Sequence, residues 1–388
     1  MWRGKLAATK SGGEVNSPLQ FQTEMLPAEG PLKNHELPSW NPKKIMIRAT
    51  NWIGDAVMSL PAIEALNARF PEAEIVVVAK PWVSELYQHH PAVSRQIVYD
   101  AEGEHRGTGG FLKLVQSLRE EGFGAAILFQ NAFQAALMAW CARIPVRIGY
   151  ARDGRSSLLN DAVEVISPAA CGHQVYYYLQ LLFRSGLIDK PEPVEEVHLR
   201  LADSERRWAA RQLQTLGLGG RRFLVGICPG ASFGPAKRWL PERFASLADR
   251  LIDALGADVL IFGSPAESTL AEEVAQVMEH TPVLVAGKTT LREFMALLAR
   301  CQLVITNDSG PMHLAAGLDL PLLAIFGSTN ERETGPIGQR LRIVKHPVEC
   351  SPCGLRECPI DFRCMTGVSV DTVYKTALEA VKEWEIGP

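Results

Sequence analysis

The sequence predicts an α/β fold of two Rossmann-like domains, each a parallel sheet covered by helices, and three observations lead to it. Short apolar runs alternate with amphipathic segments of helical period along most of the chain. The alternation stops at a polar, charged stretch over 203–222 and then restarts. At 388 residues the chain is also too long for one ordinary core. In the first half, strands are expected at 45–49, 74–79 and 125–129, and helices at 56–69 and 111–121. After the restart, strands are expected at 223–228, 258–262, 282–285, 303–306 and 322–326, with helices at 242–255, 266–278 and 291–299. Nearly continuous Ile, Val, Leu and Ala in the strands fit parallel sheets buried on both faces.

Composition narrows the class. A net charge of −3, with no arginine-rich helix and no zinc-finger spacing, gives no basis for binding nucleic acid. No apolar run is long enough to cross a bilayer. Residues 1–43 are rich in Gly, Ser, Pro, Glu and Lys without periodicity, so a flexible extension is expected there. They lack the apolar centre of a signal peptide, and a cytoplasmic protein is the expectation. The domain expectation is therefore 1–43 extension, 44–205 and 206–388.

Three strand-to-helix loops carry the chemistry. Val304-Ile-Thr-Asn-Asp-Ser-Gly-Pro-Met-His313 passes from a buried strand into small and polar residues that open a helix. The first amides of a helix have no internal partner and the helix dipole adds positive potential, so Ser309, Gly310 and Met312 can offer N–H groups to a phosphate. Asp308 stands where an N-cap would, and His313 lies in the first turn. Phe223-Leu-Val-Gly-Ile-Cys228 leads into Pro229-Gly-Ala-Ser-Phe-Gly-Pro-Ala-Lys-Arg-Trp239, where glycines permit close approach and Lys237 and Arg238 supply charge. The order of residues is not that of a P-loop. Two such loops in one α/β domain suit a diphosphate. The third loop, Arg48-Ala-Thr-Asn-Trp-Ile-Gly-Asp55, places a carboxylate at the carboxyl end of the first strand. There it could take a proton from a hydroxyl or simply cap a helix.

These three segments, with Phe326-Gly-Ser-Thr-Asn330, resemble in the same order the ADP-heptose:lipopolysaccharide heptosyltransferases of glycosyltransferase family 9, the heptosyltransferase II branch above all. The resemblance covers roughly residues 44–386. It implies a GT-B fold, with 44–205 as acceptor domain, 206–388 as nucleotide-sugar donor domain, and the active site in the cleft between them. It implies Asp55 as catalytic base, Lys237 against the donor diphosphate, and Asp308, Ser309, Gly310 and His313 as the donor signature. Glu267 is matched more loosely to a carboxylate contacting the ribose. The partners implied are ADP-heptose and the inner core of lipopolysaccharide, met by peripheral contact with the inner membrane, with inversion at the anomeric carbon. The alternatives are a transferase of the same fold with another nucleotide sugar or acceptor, and a non-catalytic sugar-nucleotide-binding protein.

No D-x-D pattern occurs, so no cofactor is required; cations and helix termini can neutralise the leaving group. Arg143, Arg147, Arg152 and Arg155 cluster in sequence and suit the carboxylates and phosphates of the acceptor, with a solvated basic loop as the plain alternative. Tyr176, Tyr177 and Tyr178 are expected to pack rather than to bind sugar. Cys350, Cys353, Cys358 and Cys364 form a compact group. Their C-x2-C opening is compatible with a structural zinc, but the C-x5-C that follows departs from zinc-site spacing, and free thiols are the default expectation.

Overall fold

A computed structural model describes residues 41–165, 171–220 and 222–387 together with the backbone of 14–16. Thirteen strands run in chain order: β1 (Glu14–Asn16), β2 (Lys44–Arg48), β3 (Glu74–Ala79), β4 (Arg95–Val98), β5 (Ala125–Leu128), β6 (Val146–Tyr150), β7 (Asp161–Val163), β8 (Leu224–Cys228), β9 (Asp258–Ile261), β10 (Val283–Leu284), β11 (Leu303–Asn307), β12 (Leu322–Phe326) and β13 (Leu341–Lys345). They form two sheets, one ordered β4-β3-β2-β5-β6-β7 and the other β1-β13-β12-β11-β8-β9-β10. Every pairing is parallel except β1 with β13. The central strands are apolar throughout because helices cover both faces, and Ile45, Met46, Ile47, Val225, Ile227, Val304, Ile305 and Leu323 are fully buried. These are the two Rossmann-like sheets that the sequence predicts, in keeping with the GT-B fold that the resemblance implies.

All eight expected strands are present within a residue or two of their expected ends. Four more, β4, β6, β7 and β13, escaped the periodicity because they are short or carry charged residues, as in Arg95-Gln-Ile-Val98 and Leu341-Arg-Ile-Val-Lys345. The helix expected at 56–69 is two helices, Ile53–Met58 and Leu60–Arg69, which meet at Ser59 just before Pro61. The stretch at 203–222 is not a bare connector, since Asp203–Thr215 is a helix that packs on the helix Leu291–Leu298. Arg292 ties them: its guanidinium grips Glu205 with two 2.7 Å hydrogen bonds, and its backbone N–H donates to Glu85 of the first half at 3.1 Å.

Most of the extension expected over 1–43 lies outside the described residues. Within it, Glu14–Asn16 is not structureless but pairs antiparallel with β13, whose N–H and C=O groups would otherwise form a bare sheet edge. Among the described residues no helix is long and apolar enough to cross a membrane.

Candidate active site

On the first sheet, β2 ends at Arg48 and four residues turn the chain into the helix Ile53–Met58. Trp52 occupies the N-cap position and its carbonyl accepts the Ala56 N–H at 2.9 Å. Asp55 therefore sits inside the first turn, and its carboxylate does not cap the helix. The Tyr178 hydroxyl, on the helix Gln174–Arg184, lies 3.4 Å from Asp55 Oδ1. Burial pushes the Asp55 carboxyl up to about 6, while the Tyr178 hydroxyl and the charge of Lys237 act in the opposite direction. A carboxylate poised there is ionised at neutral pH yet basic enough to take a hydroxyl proton. The three tyrosines do pack, as expected, but Tyr178 also belongs to the site. Nothing local in the sequence links two residues so far apart in the chain.

On the second sheet, the loops after β8 and β11 lie side by side because those strands are neighbours. Asn307 clamps them: its amide donates to the Pro229 carbonyl at 2.7 Å and its Oδ1 accepts the Trp239 N–H at 2.9 Å. Lys237, at the end of a short 3-10 turn, places Nζ 2.6 Å from Asp308 Oδ2 and 4.9 Å from the centre of the Phe233 ring. Thr329 donates to the same carboxylate oxygen. Asp308 is thus not the N-cap that its position in the sequence proposed. Ser309 takes that place, leaving Asp308 to orient the lysine over the start of the helix Gly310–Gly317. Glu267 presses on the β8 loop from the other side: a Cβ on Gly230 would fall 2.1 Å from its Oε1, so any larger residue there would displace the carboxylate. Its other oxygen accepts from Ser264 N and Oγ at 2.9 and 2.8 Å.

The two halves touch where the helices Ile53–Met58 and Gly310–Gly317 meet. Glycines make the contact close, since a Cβ on Gly54 would lie 2.8 Å from His313 Cδ2 and one on Gly310 would lie 3.3 Å from Ile53 Cβ. His313 is buried, and burial, with the charge of Lys237 added, pushes it down to about 3. It is therefore neutral at physiological pH and can offer a diphosphate only a neutral ring. His173, pushed down to about 4 by burial, caps the helix Gln174–Arg184 and contacts the Gly335 carbonyl at 3.0 Å. Asp55, Lys237, Asp308, Ser309, Gly310 and His313 thus converge on one junction, while Glu267 lies against Gly230 of the loop after β8.

The four arginines do not converge. Arg143 and Arg147 precede or begin β6, at the amino end of the sheet, whereas Arg152 and Arg155 follow its carboxyl end. The intervening strand separates the pairs by roughly 15 Å. Arg147 donates to the carbonyls of Leu158 and Ile144. Arg155 is fully buried and donates to the Tyr150 and Gln130 carbonyls and to Asn131 Oδ1. Only Arg152 is exposed near the carboxyl ends. Adjacency in sequence does not bring the four together because β6 runs between the pairs.

The cysteine loop packs on the loops after β8 and β12. Cys353 and Gly354 donate N–H groups to the Ser328 carbonyl at 3.0 and 2.7 Å, and the Arg356 carbonyl accepts the Ala236 N–H at 3.0 Å. Cys350 and Cys353 are exposed, Cys358 is half-buried and Cys364 is buried, all as free thiols. Among the described residues no group of three or more His, Cys, Asp or Glu is placed to hold a metal ion.

The profile of glycosyltransferase family 9 (heptosyltransferase) matches residues 111–362. Lipopolysaccharide heptosyltransferase 2 of Escherichia coli (strain K12) is 34% identical over 310 residues, covering 78% of this chain and 88% of that protein. Lipooligosaccharide heptosyltransferase 2 of Haemophilus influenzae is 33% identical with the same coverage. The solved structure of E. coli ADP-heptose lps heptosyltransferase II superposes with a TM-score of 0.76 at 29% identity, over 88% of this chain and 99% of that one. With two facing Rossmann-like sheets, a raised carboxyl on one and a lysine held over a helix start on the other, the chain belongs to glycosyltransferase family 9, the heptosyltransferases.

Proposed function

We propose that this protein transfers heptose from ADP-L-glycero-D-manno-heptose to the inner core of lipopolysaccharide, with addition of the second heptose as the specific step. The observation that carries this reading is the placement of Asp55, held up to about 6, across the junction from the Lys237–Asp308 pair. Asp55 takes the proton of the acceptor hydroxyl as that oxygen attacks the anomeric carbon. The bond from that carbon to the diphosphate oxygen breaks, ADP departs with the electron pair, and configuration inverts in a single displacement. Negative charge grows on the leaving diphosphate, where Lys237 and the N–H groups at Ser309 and Gly310 stabilise it more in the transition state than in the ground state. Residues 44–205 hold the acceptor and 206–388 the nucleotide.

The acceptor is lipid-anchored, and only its saccharide must enter the cleft. The protein accordingly works at the cytoplasmic face of the inner membrane as a peripheral visitor. The test is release of ADP and formation of a heptosylated product when pure protein meets ADP-heptose and heptose-deficient core acceptors of defined length. No ADP with any of them would remove the reading. Turnover confined to an acceptor already bearing one heptose would support the second-heptose assignment.

A further inference from the structure

The acceptor must reach Asp55 from a side the nucleotide loops leave open, and the adjoining carboxyl ends of β2 and β3 have unusual electrostatics. In register, Arg48 pairs with Val78, so Arg48 and Lys80 stand two residues apart across neighbouring strand ends. They share one aromatic ring, with Lys80 Nζ 4.4 Å and the Arg48 guanidinium carbon 5.7 Å from the centre of Tyr99. Arg48 is 3% exposed, donates to the carbonyls of Ala49 and Val78 and to Asn51 Oδ1, and leaves Nε without an acceptor. Among the described residues neither cation has a carboxylate within ion-pair distance. Asp100 and Glu102 act on Lys80 only through space, and one Asp100 oxygen already accepts the N–H groups of Glu102 and Gly103. Burial and the neighbouring Arg48 push the Lys80 ammonium below its usual value, as expected of two like charges that lack an anion between them.

The same place carries an aromatic surface. Trp82 lies 5.8 Å from Lys80 Nζ, is 48% exposed, and anchors its indole N–H on the Asn51 carbonyl at 2.9 Å. Asn51 belongs to the turn that delivers Asp55, so the Trp82 ring and the base are fixed to one short segment. Trp52, 51% exposed, stands on that segment too. On the other flank, past β5, Arg155 is internal and bound to carbonyls.

We propose that the ends of β2 and β3 form the subsite for an anionic group, carboxylate or phosphate, of the acceptor glycan, with Lys80 as its contact, buried Arg48 supplying the field behind it, and Trp82 as the ring on which the neighbouring sugar lies. The proposal rests on the transferase reading above and specifies its acceptor side. A charge-assisted hydrogen bond supplies recognition, and the negative face of the indole suits the C–H face of a sugar.

The test compares wild type, Lys80→Gln and Lys80→Arg on heptose-deficient lipopolysaccharide core that is intact, carboxyl-reduced, dephosphorylated, or both. On intact acceptor, Lys80→Gln should raise KM roughly tenfold or more with kcat within about threefold and ADP affinity unchanged, and Lys80→Arg should restore most of the loss. The single treatment that removes the difference between wild type and Lys80→Gln names the anionic group. An unchanged KM for Lys80→Gln, or an equal loss on the doubly neutralised acceptor, would overturn the subsite. Should wild type form no heptosylated product, the transferase reading falls. Titration of the same intact acceptor in the presence of ADP then judges the subsite alone: a Kd that depends on Lys80 supports it, and one that does not overturns it.

Discussion

Lys237 Nζ lies 2.6 Å from Asp308 Oδ2, joining the loop after β8 to the loop after β11 by an ion pair that is almost entirely out of solvent. The two loops come from adjacent strands, and Asn307 fixes their backbones together. The pair thus acts as one unit, in which the carboxylate sets where the ammonium stands. In the proposed reaction Lys237→Ala removes a charge from the diphosphate, and Asp308→Ala lets that charge wander. Each should weaken ADP by about tenfold or more, and the double variant should be much less than additive because both changes act on one interaction. Calorimetric titration with ADP measures this. Additive losses would mean that the two residues contact the nucleotide independently.

Asp55, raised to about 6, predicts an acid limb in kcat/KM near that pH, with activity falling about tenfold per unit below it. Asp55→Asn should lower turnover about a hundredfold or more while ADP affinity holds. Because the Tyr178 hydroxyl favours the ionised carboxylate, Tyr178→Phe should move the acid limb to higher pH. A pH–rate profile unchanged in Tyr178→Phe would leave that hydroxyl with a packing role only.

Buried neutral histidines predict acid sensitivity. His173 and His313, pushed from 6.5 down to about 4 and about 3, bind a proton less readily folded than unfolded. Their contribution to stability is therefore complete above pH 6.5 and is lost as pH falls from there towards the folded values. Asp55 has the opposite sign, since its raised value favours the folded state as pH drops from above 6 towards 3.8. The net expectation is a fall in Tm beginning below pH 6.5. His173→Asn, which keeps an acceptor for the helix cap, should make that fall shallower between pH 6.5 and 5. Tm measured across that range decides; an equally steep fall would assign the sensitivity to other groups.

Arg143 and Arg155, which read alike in the sequence, should behave differently. Arg155→Gln removes donors from the buried Tyr150 and Gln130 carbonyls and should destabilise by about 1–3 kcal/mol for each group left without a partner. Arg143 is exposed, and Arg143→Gln should change stability by no more than about 0.5 kcal/mol. Denaturant titration of the two variants measures the difference. A stable Arg155→Gln protein with weakened acceptor binding would return Arg155 to the acceptor.

The sequence by itself determined the fold class, half the strands of the first sheet and most of the second, and the loops that hold Asp55, Lys237 and Asp308, because all of these are local. Apolar runs and helix-start chemistry are set by neighbouring residues. It could not say which loops become neighbours, for strand order depends on packing between distant segments. That order brought Lys237 to Asp308, giving Asp308 a lysine to orient rather than a helix to cap and leaving Ser309 at the cap, while packing between helices brought Tyr178 to Asp55 and His313 against Gly54. It also split the arginine cluster, because a strand between residues close in sequence carries them to opposite ends of a sheet. Arg48 and Lys80 became a pair for the same reason in reverse: parallel register sets side by side two cations that lie far apart in the chain.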